Sequence, residues 1–97
     1  MVESQRSIAA WAEHMFGQVN VPGLVARANE EMSELVTAAY DPGASSQEIA
    51  TEAADVAIML LQIVEALGYD LLQEVDAKMA LNRGRRWTMT GTGGQHA

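Results

Sequence analysis

The stretch from Ala53 to Leu67 is apolar on nearly every face of a helical wheel, with only Asp55, Gln62 and Glu65 interrupting it. A helix that is apolar all round is normally buried all round. The chain has only 97 residues, enough for one domain with a modest core. One way for so small a chain to cover such a helix is to add a second copy of itself. The segment therefore predicts a central helix, partly covered by a second subunit. Its ends are marked. Ser45-Ser-Gln-Glu48 has the form of a capping box, serine at the cap and glutamate three residues on. Gly68 is a usual residue just past a helix end.

Three more helices are expected around it. The first runs from about Ser4 to Phe16, with Ile8, Trp11, Ala12 and Met15 as its apolar stripe, and Gly17 stops it. The second runs from about Pro22 to Tyr40, proline being tolerated in a first turn. Leu24, Ala28, Met32, Leu35 and Ala39 form its stripe, Val25 and Val36 widen it, and Asp41-Pro-Gly ends it. The fourth runs from about Asp70 to Arg83, with Asp70 as N-cap, Gln73 at N3, and Leu71, Leu72, Val75 and Met79 facing inward. No segment reads as a strand. The fold class is all-α, a bundle of about four helices per subunit. Residues 1–87 form the single domain and residues 88–97 a flexible tail, too rich in glycine and threonine to pack.

A formal charge of −7 argues against polymeric nucleic acid and anionic membranes as partners. Without cysteine there is no disulfide scaffold, thiolate zinc site or cysteine nucleophile, which agrees with a cytoplasmic location. The polar start, Met1 to Arg6, has no secretory character. The longest apolar run, Val56 to Leu61, is far too short to span a bilayer.

Two pairs of acids stand at helical spacing, Glu31 with Glu34 and Glu52 with Asp55. Residues three apart share a side of a helix, so each pair aims two carboxylates at one point. Two such helices side by side offer four hard oxygen donors, a set suited to Mg²⁺ carrying substrate phosphates, with Mn²⁺ as the alternative. Most acids of the chain read as solvated surface. Asp55 does not, because Ala53, Ala54, Val56, Ala57, Ile58 and Met59 surround it in sequence. An unpaired buried carboxylate costs several kcal/mol unless a cation compensates it. Glu52 is open to either reading, and Glu48 is either a further acid of that face or only the capping-box acid. Glu31 and Glu34 gain weight from the second pair, and Glu30 points away from the apolar stripe.

Four of the six Lys and Arg residues fall between Lys78 and Arg86. Lys78, Asn82 and Arg85 share one face if the helix lasts past Gly84. The group either complements the helix C-terminal dipole or clamps phosphate. His14 reads as a surface or interface residue. The absence of any Glu-x-x-His pair argues against a ferritin-like di-iron bundle. No P-loop or dinucleotide glycine pattern occurs. Trp11 and Trp87 read as core or interface residues.

Glu30-Glu31-Met-Ser-Glu34, a seventeen-residue gap, then Glu52-Ala-Ala-Asp55 resembles the E-E-x-x-E … E-x-x-D signature of the MazG-like, all-α nucleoside triphosphate pyrophosphohydrolases. Lys78-Met-Ala-Leu-Asn82-Arg-Gly-Arg85-Arg86-Trp87 is similar to the K-x-x-x-N-x-x-R-x-W segment of some of its branches, and Trp11-Ala-Glu-His-Met-Phe16-Gly17 to its first helix. The resemblance covers roughly Ile8 to Trp87. It implies a dimer or dimer of dimers that hydrolyses a nucleoside triphosphate to monophosphate and pyrophosphate with Mg²⁺, as in nucleotide-pool house-cleaning. It implies Glu31, Glu34, Glu52 and Asp55 as metal ligands, and Lys78, Asn82, Arg85 and Arg86 as contacts to phosphate or sugar. In the mechanism expected from it, a metal-bound hydroxide attacks the α-phosphorus, and Glu34 or neighbouring Glu31 orients the water as general base. The rival reading is a non-catalytic bundle that binds nucleotide or a protein partner.

Overall fold

The computed structural model describes residues 2–85, 87–90 and 93–96, with side chains for 2–85. The expected helices form, the third and fourth opened by their expected caps, the first two by Ser4 and Asn20. Helix α1 spans Gln5–Phe16. Ser4 Oγ accepts from the Ser7 amide at 3.0 Å, and Ser7 Oγ accepts from the Ser4 amide at 2.8 Å. It stops at Gly17, whose φ of 76° suits a residue without a Cβ. Helix α2 spans Val21–Tyr40, with the Gly23 amide donating to Asn20 Oδ1 at 2.8 Å. Helix α3 spans Ser46–Ala66, and its capping box is complete, since Ser45 and Glu48 bond each other's backbone amides. Gly68, at φ 81°, turns the chain out of α3. Helix α4 spans Leu71–Gly84, capped by Asp70, which accepts from the Gln73 amide.

The short turn from Asp41 to Ser45 folds α2 back against α3 as an antiparallel hairpin, and this is the main packing unit. Helix α1 lies on α3, and α4 touches α3 only lightly. Gln5 ties the start of α1 to the α3–α4 turn. Its amide donates to Glu65 Oε1 at 3.0 Å and to the Tyr69 carbonyl at 2.6 Å, and its Oε1 accepts from the Leu71 amide at 2.8 Å. The core is small: Ala12, Leu24, Val56 and Met59, with Gln62 the one buried polar residue among those described.

Several expectations change, the α2 stripe among them, for Met32 and Ala39 lie exposed. Helix α3 is not buried all round within one chain, for Ala53, Ala54, Ala57 and Leu60 lie exposed. Trp11 and Met15 of α1 are likewise exposed. In α4, Leu72, Val75 and Met79 face solvent, and of the four predicted inward residues only Leu71 is half-buried. Periodicity shows that a helix has an apolar side, but not that the same chain covers it. Finally, part of the segment read as tail forms a hairpin, with β1, Trp87–Thr90, antiparallel to β2, Gly93–His96. The β-branched Thr88 and Thr90 favour extended backbone. No helix among the described residues is long and apolar enough to cross a membrane.

Candidate metal and substrate site

Glu31 stands in the apolar stripe of α2, in line with buried Leu24 and half-buried Ala28, Leu35 and Ala38. Across the hairpin, Glu52 and Asp55 hold the corresponding place on α3, just before buried Val56 and Met59. The antiparallel pairing brings the midpoints of the two helices together. One carboxylate oxygen from each of Glu31, Glu52 and Asp55 then lies within 4.8 Å of the others. All three residues are half-buried.

Glu52 Oε2 is buried and accepts no hydrogen bond among the described residues. A buried acceptor without a partner costs about 1–3 kcal/mol, more when charged. Burial raises the pKa of Glu31 above its ordinary value of 4.5. A proton shared with Glu34, and the charges of Glu34, Asp55 and Glu52, push the same way. Three carboxylates crowded together with one orphaned oxygen are a donor set that a divalent cation would complete, and hard oxygen ligands fit Mg²⁺ or Mn²⁺.

The remaining predicted residues are placed less centrally. Glu34 is exposed and close enough to Glu31 to share its proton, but it stands outside the three-acid group. Glu30 is exposed, as its wheel position requires, and Glu48 is engaged at the α3 cap. Lys78 is exposed on α4. Helix α4 does last to Gly84, and Arg85 caps it, its Nη1 donating to Asn82 Oδ1 at 3.5 Å. Helix α4 rests lightly on α3, and among the described residues no ion pair joins Lys78 or Arg85 to the acids. Arg86 lies outside the described residues. His14 is exposed.

Two features were not assigned a role from the sequence. Arg27 stacks over the Phe16 ring at 5.3 Å, and Trp11 meets the same ring edge-on at 5.6 Å. The contact joins α1 to α2 and has no local sequence signal. The second is a cleft of about 700 Å³ where α1, the start of α2 and the end of α3 converge, with Gln62 in its wall. Its signal was the amide itself, a polar residue in an apolar run seven residues, about two helical turns, beyond Asp55. On the other side of the acids a hollow of about 550 Å³ is bounded by Glu34, Glu48 and Glu52.

No protein-family model matches the chain. It is 34% identical over 95 residues to a dATP/dGTP diphosphohydrolase of Cyanophage S-2L, covering 96% of this chain and 83% of that protein. It is 35% identical over 88 residues to a dATP/dGTP diphosphohydrolase of Salmonella phage PMBT28, of whose length it spans 28%. Among solved structures it is similar to the Cyanophage S-2L MazG-like pyrophosphohydrolase bound to dGDP and three catalytic Mn²⁺ ions per active site. That match has a TM-score of 0.75 at 33% identity, over 96% of this chain and 87% of the other.

Proposed function

Because the chain belongs to the MazG-like pyrophosphohydrolases, hydrolases of phosphoanhydride bonds, we propose that it converts purine deoxynucleoside triphosphates to monophosphate and pyrophosphate. The observation that carries this reading is the group of Glu31, Glu52 and Asp55 around the unpartnered Glu52 Oε2. The purine preference rests on relatives that act on dATP and dGTP.

In this reading Glu31, Glu52 and Asp55 hold the divalent cations, Mg²⁺ or Mn²⁺, with Glu34 completing the set from the rim. Such cations neutralise phosphate charge and lower the pKa of a bound water. Glu34, one turn from Glu31, orients the attacking water at the α-phosphorus and takes its proton. Lys78, Asn82, Arg85 and Arg86 contact phosphate or sugar and offset charge on the departing pyrophosphate. The exposed apolar faces of the helices, that of α2 with Val25, Met32 and Val36 among them, support self-association to a dimer or dimer of dimers. The role proposed with this activity is nucleotide-pool house-cleaning in the cytoplasm.

The test incubates the full chain with each dNTP and Mg²⁺ or Mn²⁺ and separates the products. Monophosphate and pyrophosphate are expected from wild type, and at least a hundredfold less from Asp55→Ala, a loss of about 2.7 kcal/mol of transition-state stabilisation. Equal rates in the two proteins would rule the site out. Diphosphate and orthophosphate as products would mean a different reaction.

A further inference from the structure

Gln5 directs its whole side chain at groups far from it in sequence. Its Nε2 donates to Glu65 Oε1 at 3.0 Å and to the Tyr69 carbonyl at 2.6 Å, and its Oε1 accepts from the Leu71 amide at 2.8 Å. Both amide hydrogens and the carbonyl oxygen are thus engaged. The two backbone partners flank Asp70, the N-cap of α4. Asp70 is extended, at φ −115° and ψ 123°, so the carbonyl before it and the amide after it point to the same side. One side-chain amide grips both. It holds the peptide planes on either side of Asp70, and so fixes the two dihedrals about which α4 would turn. The Leu71 amide is one of the first-turn donors that a helix cannot satisfy itself. Asp70 serves the Gln73 amide, and Gln5 completes the cap from another helix.

Packing does not fix the direction of α4 firmly. The helix touches α3 only lightly, none of its residues is buried, and residues 72–81 are all exposed. It follows α3 through a short link, Leu67 to Asp70, in which Gly68 has a φ of 81°. It carries Lys78 and Asn82, and Arg85 caps its end. These are residues assigned above to phosphate or sugar. A rigid helix acts as a lever on them. Asn82 stands twelve residues past Asp70. At about 1.5 Å per residue that is about 18 Å, so a swing of about 10° at Asp70 moves Asn82 by about 3 Å. A misplacement of about 1 Å already costs a site much of its rate.

We propose that Gln5 is a positioning residue for the reaction: from α1 it sets the direction of α4, and through α4 the place of Lys78, Asn82 and Arg85. The inference rests on the hydrolase reading for what those three residues do, and its test separates the two. Gln5→Ala removes all three hydrogen bonds. Gln5→Glu keeps the shape and can still accept from Leu71, but it sets a carboxylate against Glu65 and the Tyr69 carbonyl. Adding Glu65→Gln to Gln5→Glu supplies a donor to that carboxylate again. Each variant is measured as the full chain for kcat/KM with dGTP and Mn²⁺, for melting temperature, and for amide hydrogen exchange along the helices. Gln5→Ala is also placed in a background lacking two of the basic groups, Lys78→Ala with Arg85→Ala. Ser45→Ala, which weakens the cap of α3, is the control for loss of stability alone.

The expected result for Gln5→Ala and Gln5→Glu is exchange at least tenfold faster in α4, with α2 and α3 unchanged. A loss of about tenfold in kcat/KM should accompany it, and Glu65→Gln should bring Gln5→Glu back to within about threefold of wild type. In the background without Lys78 and Arg85, Gln5→Ala should cost less than about twofold, because a residue that acts through others has little left to act on. Ser45→Ala should change neither α4 exchange nor kcat/KM. If the tenfold loss is the same in both backgrounds, or if exchange quickens equally in every helix, Gln5 is a structural residue and the inference falls while the hydrolase reading stands. If wild type turns over no dNTP, the hydrolase reading falls and exchange alone decides. Faster exchange confined to α4 then keeps Gln5 as its clamp, and unchanged exchange overturns the inference.

Discussion

At the scale of single residues, the site is a set of like charges that the fold holds together at a cost. Glu52 shows it most directly, with a buried oxygen that has no partner. Glu52→Gln keeps the shape and removes the charge. It is expected to stabilise the cation-free protein by about 1 kcal/mol, which raises the Tm of a domain this size by roughly 4–8 °C. The same change should abolish the stabilisation that Mg²⁺ or Mn²⁺ gives wild type. Thermal melts with and without cation check both. Glu31 adds a pH dependence. Its folded pKa lies above the ordinary 4.5, so the stability linked to its protonated form is fully present below 4.5 and lost as pH rises through the folded value. The cation-free protein should therefore lose this contribution as pH rises from 4.5 through the folded value, and Glu31→Gln should remove that part of the slope in Tm against pH. Cation affinity should move oppositely, weakening on acidification, because the bound form needs Glu31 ionised. The three acids were legible in the sequence because their spacing and apolar neighbours define a helix face. The rank of Glu34 was not, since a wheel gives the angle of a side chain but not how far the facing helix reaches over it. Gln62 read only as an interruption, because its cleft exists only once α1 has settled on α3.

At the scale of elements, the chain is strongly punctuated, and that is why its helices were readable. Serine, asparagine and aspartate caps at Ser4, Asn20, Ser45 and Asp70 all accept from the expected amides. Local chemistry of this kind does not depend on the rest of the fold. The Ser45 cap matters most for the site, because α3 carries Glu52 two turns further on. Ser45→Ala should lower stability by about 1 kcal/mol, read from chemical denaturation, with kcat little changed while the protein stays folded. The Glu48 side chain would lose its reciprocal role, but it is no member of the three-acid group. What the sequence left unread was orientation between elements. The apolar residues of α4 were assigned inward, yet Leu72 is 72% exposed. The hairpin of β1 and β2 was missed because strand pairing between two short polar segments leaves no apolar alternation to detect.

At the scale of the whole molecule, the single chain is too open for its length. Its radius of gyration is 16.2 Å, against about 12.5 Å for a compact chain of this length. Its accessible surface is 7401 Å², about 2,000 Å² more than a globular protein of its mass exposes. That excess exceeds the roughly 800 Å² that each partner commits to a standard interface. The uncovered surface is apolar along the outer side of the α2–α3 hairpin. Val25, Met32 and Val36 fall along one exposed face of α2, and Leu60 is exposed on α3. A charge placed on that face of α2 would have to be desolvated if a second copy covers it, at a cost of several kcal/mol, and would cost little if water does. The double substitution Met32→Glu and Val36→Glu therefore distinguishes the two cases. Wild type is expected to run as a dimer or larger in size-exclusion chromatography with light scattering, and the variant at half that mass or less. Its helical circular dichroism should persist, because the α2–α3 stripe of Leu24, Ala28 and Leu35 is untouched. An unchanged mass would move the interface to the exposed apolar residues of α1 and α4. In that case Trp11→Glu and Leu72→Glu are the substitutions expected to dissociate it.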